Sequence, residues 1–398
     1  MNERPAAISL APVAAPRLQA MVFVRDRDSE GVIRQSLSDL AVADAEFISG
    51  GIDTAIATLA QRGSPRLLVV DITGVDEPTT RINALADVCE PGVGVVVVGD
   101  SNDIRLYRDL KQGGIAEYFF KPLVSNPLST TFQTILTGGQ VQRVSRTGKL
   151  IFVIGARGGN GATTIATNTA RHLADNAMRR VLFVDLDLQF GDAALQFDAV
   201  PSHALREALE HPERVDDLFL QRAVTQITER LDLMAAQESL NQGISLNDEA
   251  IMTLLGNLVH RYRYVIVDLP FVLAPSLLRV LTLPSIMLIV STATLAAARD
   301  VARWRQQIGP NTPERMTLHV LNKSGAHADL PLPEFIRAVG QPPDLIVAYE
   351  REIGLASNLG VAEIRKCANF QRSLAPLFRQ LTGEGESVSH SFLRRLFG

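Results

Sequence analysis

The chain has 398 residues, room for two to three domains at roughly 150 residues each. Apolar residues make up 46% and charged residues 21%, which supplies enough Ile, Val and Leu for sizeable cores and excludes a disordered chain. Lys and Arg number 39 against 43 Asp and Glu, a net charge of −4. That balance argues against a protein whose main task is coating nucleic acid, and no nucleic-acid partner is expected. The cysteines, Cys89 and Cys367, stand far apart and form no CxxC pair, which excludes a disulfide framework, a structural zinc site and a one-chain iron–sulfur cluster.

Residues 1–20, rich in Ala and Pro, carry Glu3 and prolines at positions 5, 12 and 16. They hold no continuous apolar stretch for a signal peptide and read as a flexible arm. From 21 to 137 strand and helix alternate. MVFVRD, RLLVVDITG and GVGVVVVGD are apolar, β-rich runs ending in acidic or glycine turns, and EYFF follows before Lys121-Pro122. IRQSLSDLAVADA and IDTAIATLAQRG carry helical periodicity between them. Continuous apolar strands separated by helices predict a parallel sheet covered on both faces. The polar, glycine-bearing stretch over 138–148 predicts a linker. A second βα series occupies 149–382, with strands in KLIFVIGA, RVLFVDLD, LDLMAA, YRYVIVDLP, SIMLIVS and MTLHVLNK. The fold class expected is α/β, two doubly wound parallel-sheet domains in tandem.

The uncharged stretch from Val280 to Ala298 superficially resembles a membrane span. Pro284 and a Ser/Thr cluster fence SIMLIV within it, so it reads as one buried strand with its flanks. A soluble, cytoplasmic chain is expected. Residues 383–398 form a tail, and its last segment, SFLRRLFG, sets Phe392, Leu393, Leu396 and Phe397 beside Arg394 and Arg395. That mixture suits a peripheral contact with a membrane surface such as the inner membrane or cell pole, and equally a short tail packed on its own domain.

The most informative segment is IFVIGARGGNGATTIATNTARHLA. A buried strand runs into a glycine-rich turn and then directly into a helix. This aims backbone N–H groups and the positive end of the helix at one spot, where a polyphosphate can sit. Gly155, Gly158, Gly159 and Gly161 permit close backbone approach. Thr163 stands where a Mg²⁺-coordinating hydroxyl belongs, and Thr164 is placed to reach a neighbouring phosphate oxygen.

In this loop the chain resembles the MinD/ParA superfamily, whose deviant Walker motif reads KGGxGK followed by two Ser/Thr. The resemblance makes Arg157, Gly158, Gly159, Asn160, Gly161, Ala162, Thr163 and Thr164 the nucleotide-binding positions, with ATP and Mg²⁺ as cofactors. Arg157 replaces the first lysine, which in the family reaches across a nucleotide-sandwiched dimer; Ala162 replaces the second, which contacts the β- and γ-phosphates. Because phosphoryl transfer relies on positioning and compensating charge, binding is expected to survive these changes better than hydrolysis. The resemblance further implies that Asp187, in RVLFVDLDLQFGD, orients the attacking water. Asp268, in YVIVDLP, takes the Walker B role, holding Mg²⁺ through water, and Asn322, in VLNKSG, reads the adenine. The region of Pro342, Pro343 and Asp344, ending in ASNLG, is similar to the segment that covers the purine.

The first series resembles a response-regulator receiver. Asp26 and Asp28 correspond to the acid pair that holds Mg²⁺, Asp71 to the phosphate acceptor and Lys121 to its lysine partner. Gly99-Asp100 replaces the switch hydroxyl, which favours a degenerate receiver kept as a docking surface. A receiver-like domain ahead of a MinD-like one, the lysine-poor loop and the phrase DLDLQFGDAALQFD together resemble the CpaE/TadZ family of Tad (Flp-type) pilus assembly. That resemblance, over about residues 20 to 380, implies an ATP-binding, dimerising localisation scaffold with weak or no hydrolysis, whose partners are other pilus-assembly proteins. Two alternatives stay open: an active ParA/MinD-type ATPase that positions division or partition proteins, and a response regulator driven by Asp71.

Overall fold

A computed structural model describes residues 18–138, 148–241, 246–272, 277–326 and 329–382. Most of the expected arm, most of the linker and the whole tail lie outside the described residues. The strands are β1 (Ala20–Val24), β2 (Ala45–Ser49), β3 (Leu67–Asp71), β4 (Gly94–Gly99) and β5 (Glu117–Phe120), followed by β6 (Lys149–Gly155), β7 (Val181–Asp185), β8 (Thr225–Thr228) and β9 (Leu231–Met234). The last four are β10 (Tyr264–Leu269), β11 (Ser285–Ser291), β12 (Arg315–Ser324) and β13 (Leu345–Ala348).

Two sheets result. The first is fully parallel, in the order β2-β1-β3-β4-β5, an order shared by flavodoxin-like folds. The second runs β13-β12-β11-β6-β10-β7-β9-β8 and is parallel except where β8 returns against β9. Apolar clusters line both faces of each sheet. The central strands are buried throughout, Leu67–Asp71, Val181–Asp185 and Tyr264–Leu269 among them. Burial on both faces is the reason they read as unbroken apolar runs. The fold class expected from the sequence is the one observed, and SIMLIV is a buried strand in the middle of the second sheet.

Three strands are additions to the expected set: β2, β8 and β13. Each lies at a sheet edge, and each is short and half exposed. The helical stretch expected to reach residue 45 ends at Asp39, and the chain re-enters the sheet as β2.

Two buried arginines, Arg179 and Arg263, and the half-buried Arg230 join the two α/β regions. Arg179 donates to the carbonyls of Leu59 and Val88, at 3.1 Å each. Those carbonyls lie in the last turns of the helices Ile52–Gln61 and Pro78–Val88, where the negative ends of the helix dipoles favour a cation. Arg263 pairs with Asp87 at 3.2 Å, and Arg230 with the buried Glu90 at 3.5 Å. Gly148, where the chain enters the second sheet, is held to glycine by contact: a Cβ there would lie 1.9 Å from the Tyr262 carbonyl oxygen.

Candidate nucleotide site

The loop between β6 and the helix Ala162–Asp175 leaves the middle of the second sheet at its C-terminal edge. Gly159 and Gly161 adopt left-handed backbone, with φ 77° and 83°. Gly161 caps the helix and supplies no side-chain hydrogen bond to the first-turn N–H groups. A Cβ on Gly161 would meet the Asn322 Nδ2 at 2.5 Å, so the turn requires glycine for its dihedral and for its space alike. Asn160 is buried. Its Nδ2 donates to Val290 O at 3.2 Å, and its Oδ1 accepts from Thr292 Oγ1 at 3.3 Å. The loop is thus tied to the end of β11 before any ligand arrives.

Thr163 and Thr164 follow Ala162 in the first helical turn. The Thr163 hydroxyl lies near Asp268, the next-to-last residue of β10, beside β6. Burial raises the Asp268 carboxyl above the usual carboxylate range, and the charges of Asp192 and Asp187 add to that, against the influence of the nearby Thr163 hydroxyl. Asp185, ending β7 on the other side of β10, is raised as well, first by burial and then by the charge of Asp268. It accepts from Asp187 N at 3.0 Å and from Ala193 N at 3.3 Å. Two adjoining buried carboxyls beside a threonine hydroxyl form an oxygen donor set short of positive charge, which fits a hydrated divalent cation. Asp187 is half buried just beyond β7, and its Oδ1 accepts from Phe190 N at 2.9 Å.

Arg157 and Asn322 stand differently from what their motif positions alone suggest. The Arg157 guanidinium turns away from the loop to Asp300 Oδ2, at 2.7 Å. It lines a cleft of about 340 Å³ with Ala156, Phe271, Arg303 and Trp304. Burial raises the Asp300 carboxyl, but Arg299 and Arg157 outweigh it and hold the group below its ordinary value. Asn322 is buried, with its Nδ2 spent on Asn160 O at 2.8 Å. Its side chain braces the loop. Asp344 accepts from His319 N at 2.7 Å and pairs with Arg305 at 3.1 Å. The turn at 357–359 packs on the helix Ala193–Gln196.

In the first sheet, Lys121 lies between two carboxylates, 2.6 Å from Asp26 Oδ2 and 2.7 Å from Asp71 Oδ2. Asp71 is fully buried and also accepts from Thr73 N at 2.8 Å and Arg25 N at 3.2 Å. Burial raises the Asp71 carboxyl, but the Lys121 and Thr73 hydrogen bonds win and lower it. Asp28 stands apart from the other members of the expected cluster. Asp26 is the N-cap of the helix Arg27–Asp39, so Asp28 falls on its exposed first turn and makes no hydrogen bond or ion pair with the others among the described residues. The neighbour of Asp26 at the end of β1 is Arg25, whose guanidinium donates to Thr73 O at 2.7 Å. At Gly99 a Cβ would lie 2.8 Å from the Tyr118 hydroxyl, which donates to Ser101 O at 2.6 Å, so Tyr118 fills the space of the missing switch residue.

Arg25, Tyr118, Asp300 and Lys323 are the site residues that sequence reasoning left unassigned. Of these, Lys323 carried a readable signal, since it follows Asn322 directly.

Comparison with known proteins agrees with this architecture. The AAA domain family matches residues 148–310, under half of the chain. A ParA family ATPase from Chlorobium tepidum superposes with a TM-score of 0.52 at 22% identity, covering 59% of this chain and 98% of that one. The second sheet has the ParA fold. The pilus assembly protein CpaE from Caulobacter crescentus is 31% identical over 29% of this chain and 92% of its own, with a TM-score of 0.27. The septum site-determining protein MinD from Pyrococcus horikoshii is 16% identical, covering 61% of this chain and 97% of that one, with a TM-score of 0.47. No curated protein matches the sequence significantly. No helix among the described residues is long and apolar enough to cross a membrane.

Proposed function

We propose that the chain is an ATP-binding scaffold that pairs with a second copy through its second α/β region and hydrolyses nucleotide slowly or not at all. One observation carries this reading. The loop keeps its backbone cradle, Thr163 and Asp268, yet position 162 is alanine, and the nearby cation Arg157 is held by Asp300. Backbone N–H groups and a helix terminus bind phosphate without a lysine. Transition-state charge on a transferring phosphoryl group needs cations as well.

In this reading Gly158, Gly159, Asn160 and Gly161 hold the phosphates by backbone contact, and Thr164 adds a hydroxyl. Thr163 and Asp268 hold Mg²⁺, which when bound neutralises phosphate charge. Asp187 is the residue that would orient water in whatever hydrolysis remains. Self-association is supported by exposed apolar side chains on the helix Ala193–Gln196, the turn before it and the segment 351–359: Phe190 and Leu195 are 73% and 77% exposed, and Leu355 and Leu359 are 69% and 65%. A patch of this kind marks an interaction surface. Lys121 is engaged by both Asp26 and Asp71, and Gly99-Asp100 stands in place of a switch hydroxyl, which supports docking rather than phosphorylation at Asp71. The assignment to Tad pilus assembly, at the inner membrane or cell pole, follows the CpaE/TadZ resemblance in domain order and loop, and other pilus-assembly proteins are the partners it implies.

Calorimetry with Mg-ATP and Mg-ADP, paired with sizing in each nucleotide, tests the reading. Binding with a nucleotide-dependent rise in mass and turnover well below one per minute is expected, with Ala162→Lys raising turnover. Brisk steady-state hydrolysis by the wild-type chain overturns the scaffold, and absence of binding overturns the nucleotide site.

A further inference from the structure

The loop's missing lysine leaves a question of charge, and the end of β12 supplies a cation. Lys323 follows Asn322, whose buried amide is fixed to the loop carbonyl of Asn160. The Lys323 ammonium donates to the next loop carbonyl toward the N-terminus, Gly159 O, at 2.8 Å. Its side chain passes over Gly161, where a Cβ would lie 3.9 Å from Lys323 Cε. Gly161 immediately precedes Ala162, so the lysine runs alongside the position from which a P-loop lysine would start.

Three further facts separate Lys323 from an ordinary surface lysine. Its backbone is left-handed, at φ 56°, a conformation that strains a residue with a Cβ and persists where the surroundings impose it. It is exposed, and among the described residues no carboxylate forms an ion pair with it. One of its three N–H donors is used on a neutral carbonyl, leaving two unspent. Arg157, by contrast, is committed to Asp300.

We infer that Lys323 is a phosphate-binding residue of this site, supplying from β12 the positive charge that Ala162 cannot. The inference rests on the nucleotide reading above. Nucleotide phosphates at the loop would draw the ammonium from Gly159 O onto a phosphate oxygen, exchanging a neutral acceptor for a charged one. A charge-assisted bond of this kind is worth about 10- to 100-fold in affinity.

The test is calorimetric titration of the full chain with Mg-ATP, comparing wild type, Lys323→Gln, Lys323→Arg and the double variant Lys323→Gln/Ala162→Lys, with thermal melting to check folding. Glutamine keeps a donor for Gly159 O but loses the charge, so it separates bracing from phosphate binding. The expected result is a loss of at least about 10-fold for Lys323→Gln, near-native affinity for Lys323→Arg, and recovery in the double variant. Lys323→Gln binding as tightly as wild type overturns the assignment, as does Lys323→Arg failing as badly as Lys323→Gln. If wild type binds while Lys323→Gln is unaffected, only the Lys323 assignment falls. If wild type does not bind Mg-ATP, the nucleotide reading falls and takes this inference with it.

Discussion

Acid should loosen the seat of the phosphate loop through His172. This residue lies in the last turn of the loop's own helix, Ala162–Asp175, and stacks on Phe378 of the helix Ala368–Thr382 with ring centroids 3.8 Å apart and planes 11° apart. Burial, aided by the charge of Arg365 and opposed by Asp175, which pairs with Arg365 and Arg171, lowers its pKa from 6.5 to about 4. In the folded chain His172 stays neutral where the unfolded chain already binds a proton. Its contribution to stability is therefore complete above pH 6.5 and is lost as pH falls toward 4. The full displacement corresponds to about 3 kcal/mol, of which about 2 kcal/mol is lost by pH 5, before most carboxylates titrate. His172→Phe preserves a ring on Phe378 and removes the titration. Urea unfolding at pH 7.5 and pH 5, followed by the fluorescence of Trp304, the sole tryptophan, should show wild type losing about 2 kcal/mol more than the variant over that interval. Equal losses in the two proteins would show that no half-buried neutral imidazole couples these helices.

Two further expectations concern the first sheet and its junction. Lys121→Met strands the fully buried Asp71 without its cation and should destabilise that region by about 3 kcal/mol or more, with most of the loss recovered in Lys121→Met/Asp71→Asn; urea titration of the full chain by circular dichroism reads both. Arg179→Ala removes the donor shared by the Leu59 and Val88 carbonyls, at about 1–3 kcal/mol for each buried acceptor left unpaired. Amide exchange should accelerate at 59–63 and 88–90, and unchanged exchange there would mean that the arginine does not hold the two regions together.

The parts of the fold legible in sequence are those whose physics is local or fully buried. Runs such as LLVVD, VLFVD and YVIVDL are apolar on both faces because helices cover both faces of their sheets, so they announce themselves without a partner in view. β2, β8 and β13 are not legible in this way. Edge strands bury less on each face, and AEFIS, TQIT and LIVA become strands because a neighbour offers a ladder of unpaired N–H and C=O groups. The glycine loop and its threonines are likewise local, since a strand, a turn and a helix consecutive in sequence must place them together.

Relations between distant segments belonged to the tertiary structure alone. Asp300 lies 143 residues from the Arg157 it holds, and Lys323 lies 164 residues from the carbonyl it touches. The N-cap geometry at Asp26 set Asp28 on an exposed helical turn and put the Arg25 backbone N–H on Asp71. Sequence by itself determined which buried segments form the parallel strands and where a glycine turn meets a helix N-terminus to form a backbone cradle, because hydrophobic burial and turn geometry act along the chain. Which charges meet at that cradle was decided only in three dimensions, because side chains pair through space and the strand order sets their neighbours.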